Sequence, residues 1–134
     1  MLRGLTTISF WASDLDAARD WYTELLGLPP YFDKPGYIEF RIGDHQHELG
    51  IIDSRYAPAG HTSDVGGSIT YWHVDDLADT LKRLRSLGAK EHEAPKEHGP
   101  GFVTASVVDP FGNILGIMYN AHYLEILRAN LPDS

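Results

Sequence analysis

The sequence predicts an α+β fold in which two tandem βαβββ modules form a curved mixed sheet around a cavity. A strand-like segment followed by a capped amphipathic helix occurs twice, and further strand-like segments follow each helix. Short motifs recur in the same order: Phe10-x-x-x-Asp14-Leu15 matches Trp72-x-x-x-Asp76-Leu77, and Leu49-Gly50-Ile51 matches Leu115-Gly116-Ile117. An internal repeat of this kind is typical of a fold that duplicates one supersecondary unit.

The amino-acid composition excludes or disfavours several classes of function. The 134 residues are enough for one domain with a core, and a hydrophobic fraction of 43% argues against disorder. Without cysteine, disulfides and thiolate metal ligands are excluded. No apolar run reaches the roughly 20 residues of a membrane helix, and no signal peptide is predicted, so we expect a cytoplasmic location. A net charge of −8 disfavours nucleic acid and membrane surfaces as partners and weakly favours cationic ligands.

The first module covers about residues 5–52. Residues 5–12 read as a strand, and Ser13 and Asp14 offer caps for a helix that ends before Gly27. Strands follow over residues 37–42 and 46–52, and residues 53–67 form a Gly-, Ala-, Pro- and Ser-rich linker. The core face of the helix is predicted to carry Leu15, Ala18, Tyr22 and Leu25.

The second module covers about residues 68–120. A strand over 68–74 precedes a helix that is capped by Asp75 or Asp76 and ends at Gly88. Residues 91–98 are highly charged and are predicted to form an exposed loop that includes His92 and His98. Two strands over 102–108 and 113–119 flank a turn, and a short amphipathic helix follows over about 121–130.

The motifs at the strand–helix junctions resemble those of the glyoxalase/bleomycin-resistance/dioxygenase family, also called the vicinal oxygen chelate family. The similar segments are Ser13-Asp14-Leu15-Asp16-x-Ala18-x-x-Trp21-Tyr22-x-x-Leu25-Leu26-Gly27, His73-Val74-Asp75-Asp76-Leu77 and Asp109-Pro110-Phe111-Gly112-Asn113. Together they cover about residues 5–120. The resemblance implies this family's fold, but the family includes both metal-dependent enzymes and metal-free antibiotic-binding proteins, so the fold does not decide the function.

In metal-dependent members, the resemblance implies one ligand from an inward position on each of four strands. These positions fall on Thr7, on Ile69, on Gly116 and on either Glu48 or Gly50. At most one of them is a good ligand, whereas a catalytic divalent ion generally needs three protein ligands. We therefore predict no metal and no cofactor, and of the histidines we expect only His73 to face the cavity.

Strand alternation predicts which side chains line the cavity, because residues two apart share one face of a strand. The predicted face is aromatic, with several hydroxyls and a few charges, which suits a planar organic ligand. The predicted ligand-binding residues are Thr7, Ser9, Trp11, Tyr37, Glu39, Arg41, Glu48, Tyr71, His73, Phe102, Thr104 and Met118.

Several functions stay open at this point. The favoured one is a metal-independent protein of the bleomycin- or antibiotic-resistance type that sequesters an aromatic or basic organic molecule. The alternative is a divalent-metal-dependent lyase or isomerase of the glyoxalase kind, or a dioxygenase, with Glu39, Glu48, Tyr71 and His73 as candidates. A scaffold with some other ligand is the third. No catalytic residue is assigned.

We also predict a homodimer with the ligand site at or near its interface. An open sheet leaves apolar residues such as Trp11, Ile69 and Phe102 incompletely covered, and a two-fold partner can close such a surface. The segment from Tyr119 to Leu131 is the candidate interface element.

Overall fold

The structure is a computed structural model that describes residues 1–62 and 64–132. The chain divides into two compact units. The first consists of Met1–Asp64 with Phe111–Asn113, and the second of Val65–Pro110 with Ile114–Ser134. Each unit has one four-stranded mixed sheet, so the predicted α+β class with two βαβββ modules is confirmed.

In the first unit the strands are ordered β1-β4-β3-β2, with β1 parallel to β4 and the other neighbours antiparallel. A short 3-10 helix, Ser54–Tyr56, follows the last strand. The elements are β1 (Thr7–Ala12), α1 (Leu15–Leu26), β2 (Phe32–Lys34), β3 (Tyr37–Ile42) and β4 (His47–Asp53).

The second unit repeats this topology, in the order β5-β8-β7-β6, and adds a C-terminal helix. Its first and last strands are again parallel neighbours. The elements are β5 (Thr70–His73), α2 (Leu77–Ser86), β6 (Lys90–Gly99), β7 (Phe102–Val108), β8 (Ile114–Asn120) and α3 (Ala121–Ala129).

Local sequence explains where the helices begin and end. The Asp14 side chain accepts a hydrogen bond from the Ala17 N–H at 3.0 Å, which satisfies one of the unpaired donors of the first turn of α1. In α2 the cap is Asp76, which accepts from the Asp79 N–H at 2.9 Å. Helix α1 stops at Gly27, whose φ of 71° is the left-handed conformation that glycine adopts without steric cost.

Helices α1 and α2 each pack on one face of their own sheet. In the first unit, Tyr22 of α1 is buried with Phe40 of β3 and Ile51 of β4. In the second unit, Leu84 of α2 is buried, as is Val107 of β7. Residues of the opposite parity therefore lie on the open face of each sheet, as alternation predicts.

Two strands were not predicted. β2 is short and exposed, and β6 includes residues 91–98, which were expected to form a loop, so that expectation is wrong. β6 is an edge strand with exposed side chains and register shifts against β7, so it lacks the apolar alternation that marks a half-buried strand. No helix within the described residues has the length and apolar character needed to span a bilayer.

Candidate functional site

The predicted first-module residues share the open face of the first sheet. Strand register sets Thr7 opposite Glu48 and Glu48 opposite Arg41. The next row contains Ser9, Gly50 and Glu39. The last contains Trp11, Ile52 and Tyr37. Paired residues of neighbouring strands project to the same side, so these residues share one face of the sheet, and their contact with a ligand stays a prediction.

Two carboxylates on this face receive hydroxyl donors. Thr7 Oγ1 donates to Glu48 Oε1 at 2.7 Å, and Tyr37 donates its phenolic proton to Glu39 Oε1, also at 2.7 Å. Burial of Tyr37, followed by its hydrogen bond to Glu39, raises the pKa of the phenol to about 12. The tyrosine therefore stays protonated, and it remains a donor to the carboxylate at neutral pH.

Glu39 is the most unusual residue of this face, because its side chain is only 8% exposed. Its second oxygen, Oε2, lies 3.5 Å from Arg41 Nε. Both atoms are buried, and neither makes a hydrogen bond within the part of the chain that the structure describes. The Arg41 guanidinium is instead stacked 3.6 Å from the ring centre of Tyr31, which the sequence did not single out.

Trp11 lies on this face at the end opposite Thr7. Its ring lies 5.0 Å from the ring of His61, measured between centroids. Its backbone is held by the side chain of Asn113, which accepts from the Trp11 N–H at 3.1 Å and donates to the Trp11 carbonyl at 2.9 Å. Asn113 thus completes the hydrogen bonding of β1 at the edge of the sheet.

The predicted second-module residues share the open face of the second sheet. Tyr71 is in register with Gly116, and Gly116 with Ser106. In the next row, His73 is in register with Met118, and Met118 with Thr104. Phe102 follows Thr104 on the same face and is 40% exposed.

The His73 side chain is held in place by hydrogen bonds and by ring stacking. Its Nδ1 accepts a hydrogen bond from the Asn120 N–H at 3.2 Å, and its Nε2 lies 3.2 Å from Asp75 Oδ1. These partners fix the tautomer that carries its proton on Nε2. The ring also stacks on Tyr123 of α3 at 4.7 Å, so this imidazole links β5 to the C-terminal helix.

Two further histidines join this face, which corrects the expectation that His73 alone would do so. His92 Nδ1 lies 2.8 Å from Ser106 Oγ, and His98 Nε2 lies 2.8 Å from Thr104 Oγ1. Ser106 is fully buried and Thr104 nearly so, and the two imidazoles give these hydroxyls hydrogen-bond partners. The sequence signal for both was a histidine on each side of Pro95, and it could be read only after β6 was known to be a strand.

The positions that the family resemblance assigns to metal ligands do not suit a divalent ion. A Cβ atom at Gly50 would lie 2.9 Å from the Tyr37 hydroxyl, so the phenol fills the space beside this glycine. A Cβ atom at Gly116 would lie 2.7 Å from Tyr71 and 3.0 Å from Ile69. Aromatic and aliphatic groups thus stand where carboxylate or imidazole donors would be needed. No group of three or more acidic or histidine side chains that could hold a metal occurs among the described residues.

A polar surface pocket of about 600 Å³ lies at the beginning of α1, away from the predicted residues. Several of its charged side chains are already paired: Arg19 Nε lies 2.8 Å from Asp33, and Arg55 Nε lies 3.1 Å from Asp53. The Arg55 N–H also donates to Asp53, and together these contacts hold the pKa of that carboxyl below its usual range. We therefore regard the open face of each sheet, taken by itself, as a candidate site.

Comparison with known proteins agrees with this architecture. The sequence model of the Glyoxalase/Bleomycin resistance protein/Dioxygenase superfamily matches residues 4–117. The chain belongs to this superfamily. No protein of curated function matches the sequence significantly.

Solved structures of the superfamily resemble the chain over most of its length. A bleomycin resistance determinant encoded on transposon Tn5 is 25% identical, with a TM-score of 0.64 over 89% of this chain and 99% of that one. A glyoxalase-related enzyme from Fulvimarina pelagi is 23% identical, with a TM-score of 0.72 and 89% of both chains covered. Lactoylglutathione lyase from Agrobacterium tumefaciens is 22% identical, with a TM-score of 0.68 over 92% of this chain and 97% of that one. A resistance determinant and enzymes both occur among these similar structures, so the fold alone does not decide the function.

Proposed function

We propose that the chain binds a small organic molecule with an aromatic or basic group, and that it does so without a metal ion. The observation that carries the proposal is the filling of the two equivalent glycine positions. Tyr37 covers Gly50, and Ile69 and Tyr71 cover Gly116. These side chains offer ring faces, apolar surface and one hydroxyl, which are groups that hold an organic ligand by packing and stacking.

The charges of the first sheet support the same proposal. Glu39 places a carboxylate among Tyr37, Trp11 and Arg41 on one face of this sheet. A buried carboxylate with an unbonded oxygen is suited to receive an N–H donor from a ligand. The net charge of −8 adds a weak long-range attraction for a basic molecule.

The direct test is a binding titration of the purified protein, followed by tryptophan fluorescence. The panel contains bleomycin-type glycopeptides, mitomycin-type quinones and polycyclic aromatic compounds. We expect saturable binding of at least one class, with a spectral change that is reduced in Trp11→Phe and retained in the control Trp21→Phe. Trp11 is on the open face, whereas Trp21 lies in α1 against Phe111. No binding by any class would contradict the proposal.

A metal analysis tests the alternative of a metal-dependent lyase, isomerase or dioxygenase. Protein purified without chelator is measured by elemental analysis, and the proposal expects less than stoichiometric metal. One equivalent of zinc, nickel, iron or manganese per chain would overturn the metal-free reading and would favour the enzyme. Glu48 would then be the first residue to mutate, because it is the carboxylate that the family resemblance places at a ligand position.

We further propose that the protein works as a homodimer. Apolar side chains near its C-terminus support this, since Ile126 is 47% and Leu131 62% exposed. Light scattering at micromolar concentration tests the assembly. A mass near the 15.0 kDa of one chain would contradict the dimer and the shared cavity predicted with it.

A further inference from the structure

The contact between Glu39 and Arg41 is a poor ion pair. A charge-assisted hydrogen bond from a guanidinium to a carboxylate is about 2.7–2.9 Å long, whereas Arg41 Nε and Glu39 Oε2 are 3.5 Å apart. Both atoms are buried and lack any hydrogen bond within residues 1–62 and 64–132. Leaving a buried charged acceptor without a donor is costly, so this oxygen has an unused capacity to bind an N–H group.

Arg41 also contacts aromatic rings. Its guanidinium carbon lies 3.6 Å from the centre of the Tyr31 ring and 5.9 Å from that of Phe32. The arginine side chain is 33% exposed and Tyr31 is 60% exposed, so this cation sits at the edge of the face. It can move outward into solvent, and Glu39, which is 8% exposed, then needs another cation in its place.

A second carboxylate is ready to receive Arg41 if it moves. Glu48 lies directly opposite Arg41 in the antiparallel pairing of β3 with β4. Opposite charges at such cross-strand positions attract each other. Glu39, by contrast, stays in place because Tyr37 holds its other oxygen at 2.7 Å.

We infer that Arg41 is a built-in substitute for the cationic group of the ligand, and that the ligand class is an aromatic molecule with a planar cation such as an amidinium or guanidinium. The inference rests on the proposed ligand-binding function and names its ligand chemistry. The ligand cation donates to Glu39 Oε2 with the short hydrogen bond that Arg41 does not make. Arg41 then turns away towards Glu48, while the aromatic part of the ligand packs against the rings of the face.

The probes are benzamidine and benzamide, which have the same shape and differ in charge. Binding to the full-length protein is measured by calorimetry and by NMR shifts of the Arg side chains. We expect benzamidine to bind the wild-type protein at least about tenfold more tightly than benzamide, because only the cation pairs with Glu39. The Arg41 Nε signal should shift on addition of benzamidine, while that of Arg19 should not. This comparison needs no variant.

Two substitutions sharpen the test. Glu39→Gln keeps the shape, removes the charge and should abolish the preference for benzamidine. Arg41→Gln removes the side chain that competes with the ligand cation for Glu39. It should raise benzamidine affinity about tenfold, because no arginine has to be displaced before the ligand binds. Arg19→Gln is the matched control, since it makes the same change in net charge on α1, where Arg19 pairs with Asp16 and Asp33. Circular dichroism checks that each variant is folded.

The outcomes separate this inference from the proposed function. Equal binding of the two probes, or weaker benzamidine binding by Arg41→Gln, would overturn the inference and leave an organic-ligand site intact. The inference also fails if a compound of the panel binds and benzamidine does not. If neither probe nor any panel compound binds, the proposed function fails as well.

Discussion

The two sheets have the same strand topology. The buried polar atoms on their open faces differ in hydrogen bonding. In the first sheet, Glu39 Oε2 and Arg41 Nε are buried without hydrogen bonds. In the second, the buried hydroxyls of Ser106 and Thr104 each lie 2.8 Å from an imidazole nitrogen. A face whose polar groups are satisfied internally is stable as it stands, whereas unsatisfied groups retain affinity for an outside partner. The comparison therefore favours the first sheet as the place where a ligand is anchored.

The equivalent glycines should give the largest measurable difference between the two faces. A Cβ atom at Gly116 would lie 2.7 Å from the Thr70 backbone carbonyl, which cannot move without disturbing the sheet. At Gly50 the obstacle is the ring of Tyr37, 2.9 Å away, which can shift. We expect Gly116→Ala to lower the free energy of unfolding by about 2–3 kcal/mol and Gly50→Ala by about 1 kcal/mol. Urea denaturation measures both, and equal costs would show that the two sites are packed alike.

The equivalent residues Trp11 and His73, near the end of the first strand of each module, give the next difference. His73 occupies the position of Trp11 in the repeat, but its ring accepts the Asn120 N–H beside α3. His73→Leu leaves this backbone donor unpaired, so it should cost about 1–2 kcal/mol and speed hydrogen exchange in α3. His122→Gln, with a side chain that is 75% exposed on the same helix, is the control and should cost under about 0.5 kcal/mol. Unchanged exchange in α3 would mean that His73 does not hold the helix.

Serine-to-alanine substitutions compare the two faces more finely. Ser106 is fully buried and bonded to His92, so Ser106→Ala should lower the free energy of unfolding by about 1 kcal/mol. Ser9 is exposed on the first sheet, and Ser9→Ala should change stability by less than about 0.5 kcal/mol. Thermal unfolding of the two variants side by side is the measurement. A larger loss for Ser9→Ala would reverse the comparison.

The smallest expected effect is a loss of stability at alkaline pH that comes from Tyr37 of the first sheet. The pKa of Tyr37 is raised from its ordinary value of 10.0 to about 12, so between these values the unfolded chain has released a proton that the native chain keeps. The stabilisation from Tyr37 is complete below pH 10 and is lost as the pH rises towards 12. In absorbance titration, one late-ionising phenol should disappear in Tyr37→Phe and remain in Tyr56→Phe. Tyr56 is 62% exposed, which makes it the control.

Most of the fold could be predicted because its signals are local. Capping aspartates, glycine stops and apolar periodicity marked helices α1 and α2 to within a few residues. The strand β6 was missed because an exposed edge strand has no buried side to impose alternation, and because Pro95 argues against a strand. Only its pairing with β7, with register shifts that the sequence pattern does not reveal, makes this segment a strand.

The faces of the candidate site were predictable, but its contacts were not. Alternation placed Glu39 on the open face because its neighbours Ile38 and Phe40 are apolar. That Glu39 would be almost fully buried depends on Tyr37 lying over Gly50, which follows from strand register. The roles of His92 and Tyr31 likewise depend on neighbours that are distant or irregular in sequence. Pattern identifies which side a residue faces, and only the three-dimensional pairing identifies its partner.

The Asn113 side chain also has a consequence for biosynthesis. It supplies both hydrogen bonds that Trp11 makes at the free edge of β1, across a sequence separation of 102 residues. On the ribosome, the edge of β1 at Trp11 therefore stays open until Asn113 has been synthesised. During that interval the exposed backbone of β1 is a template for pairing with other nascent chains. The turn that carries Asn113 thus protects the edge of β1 at Trp11 from such pairing.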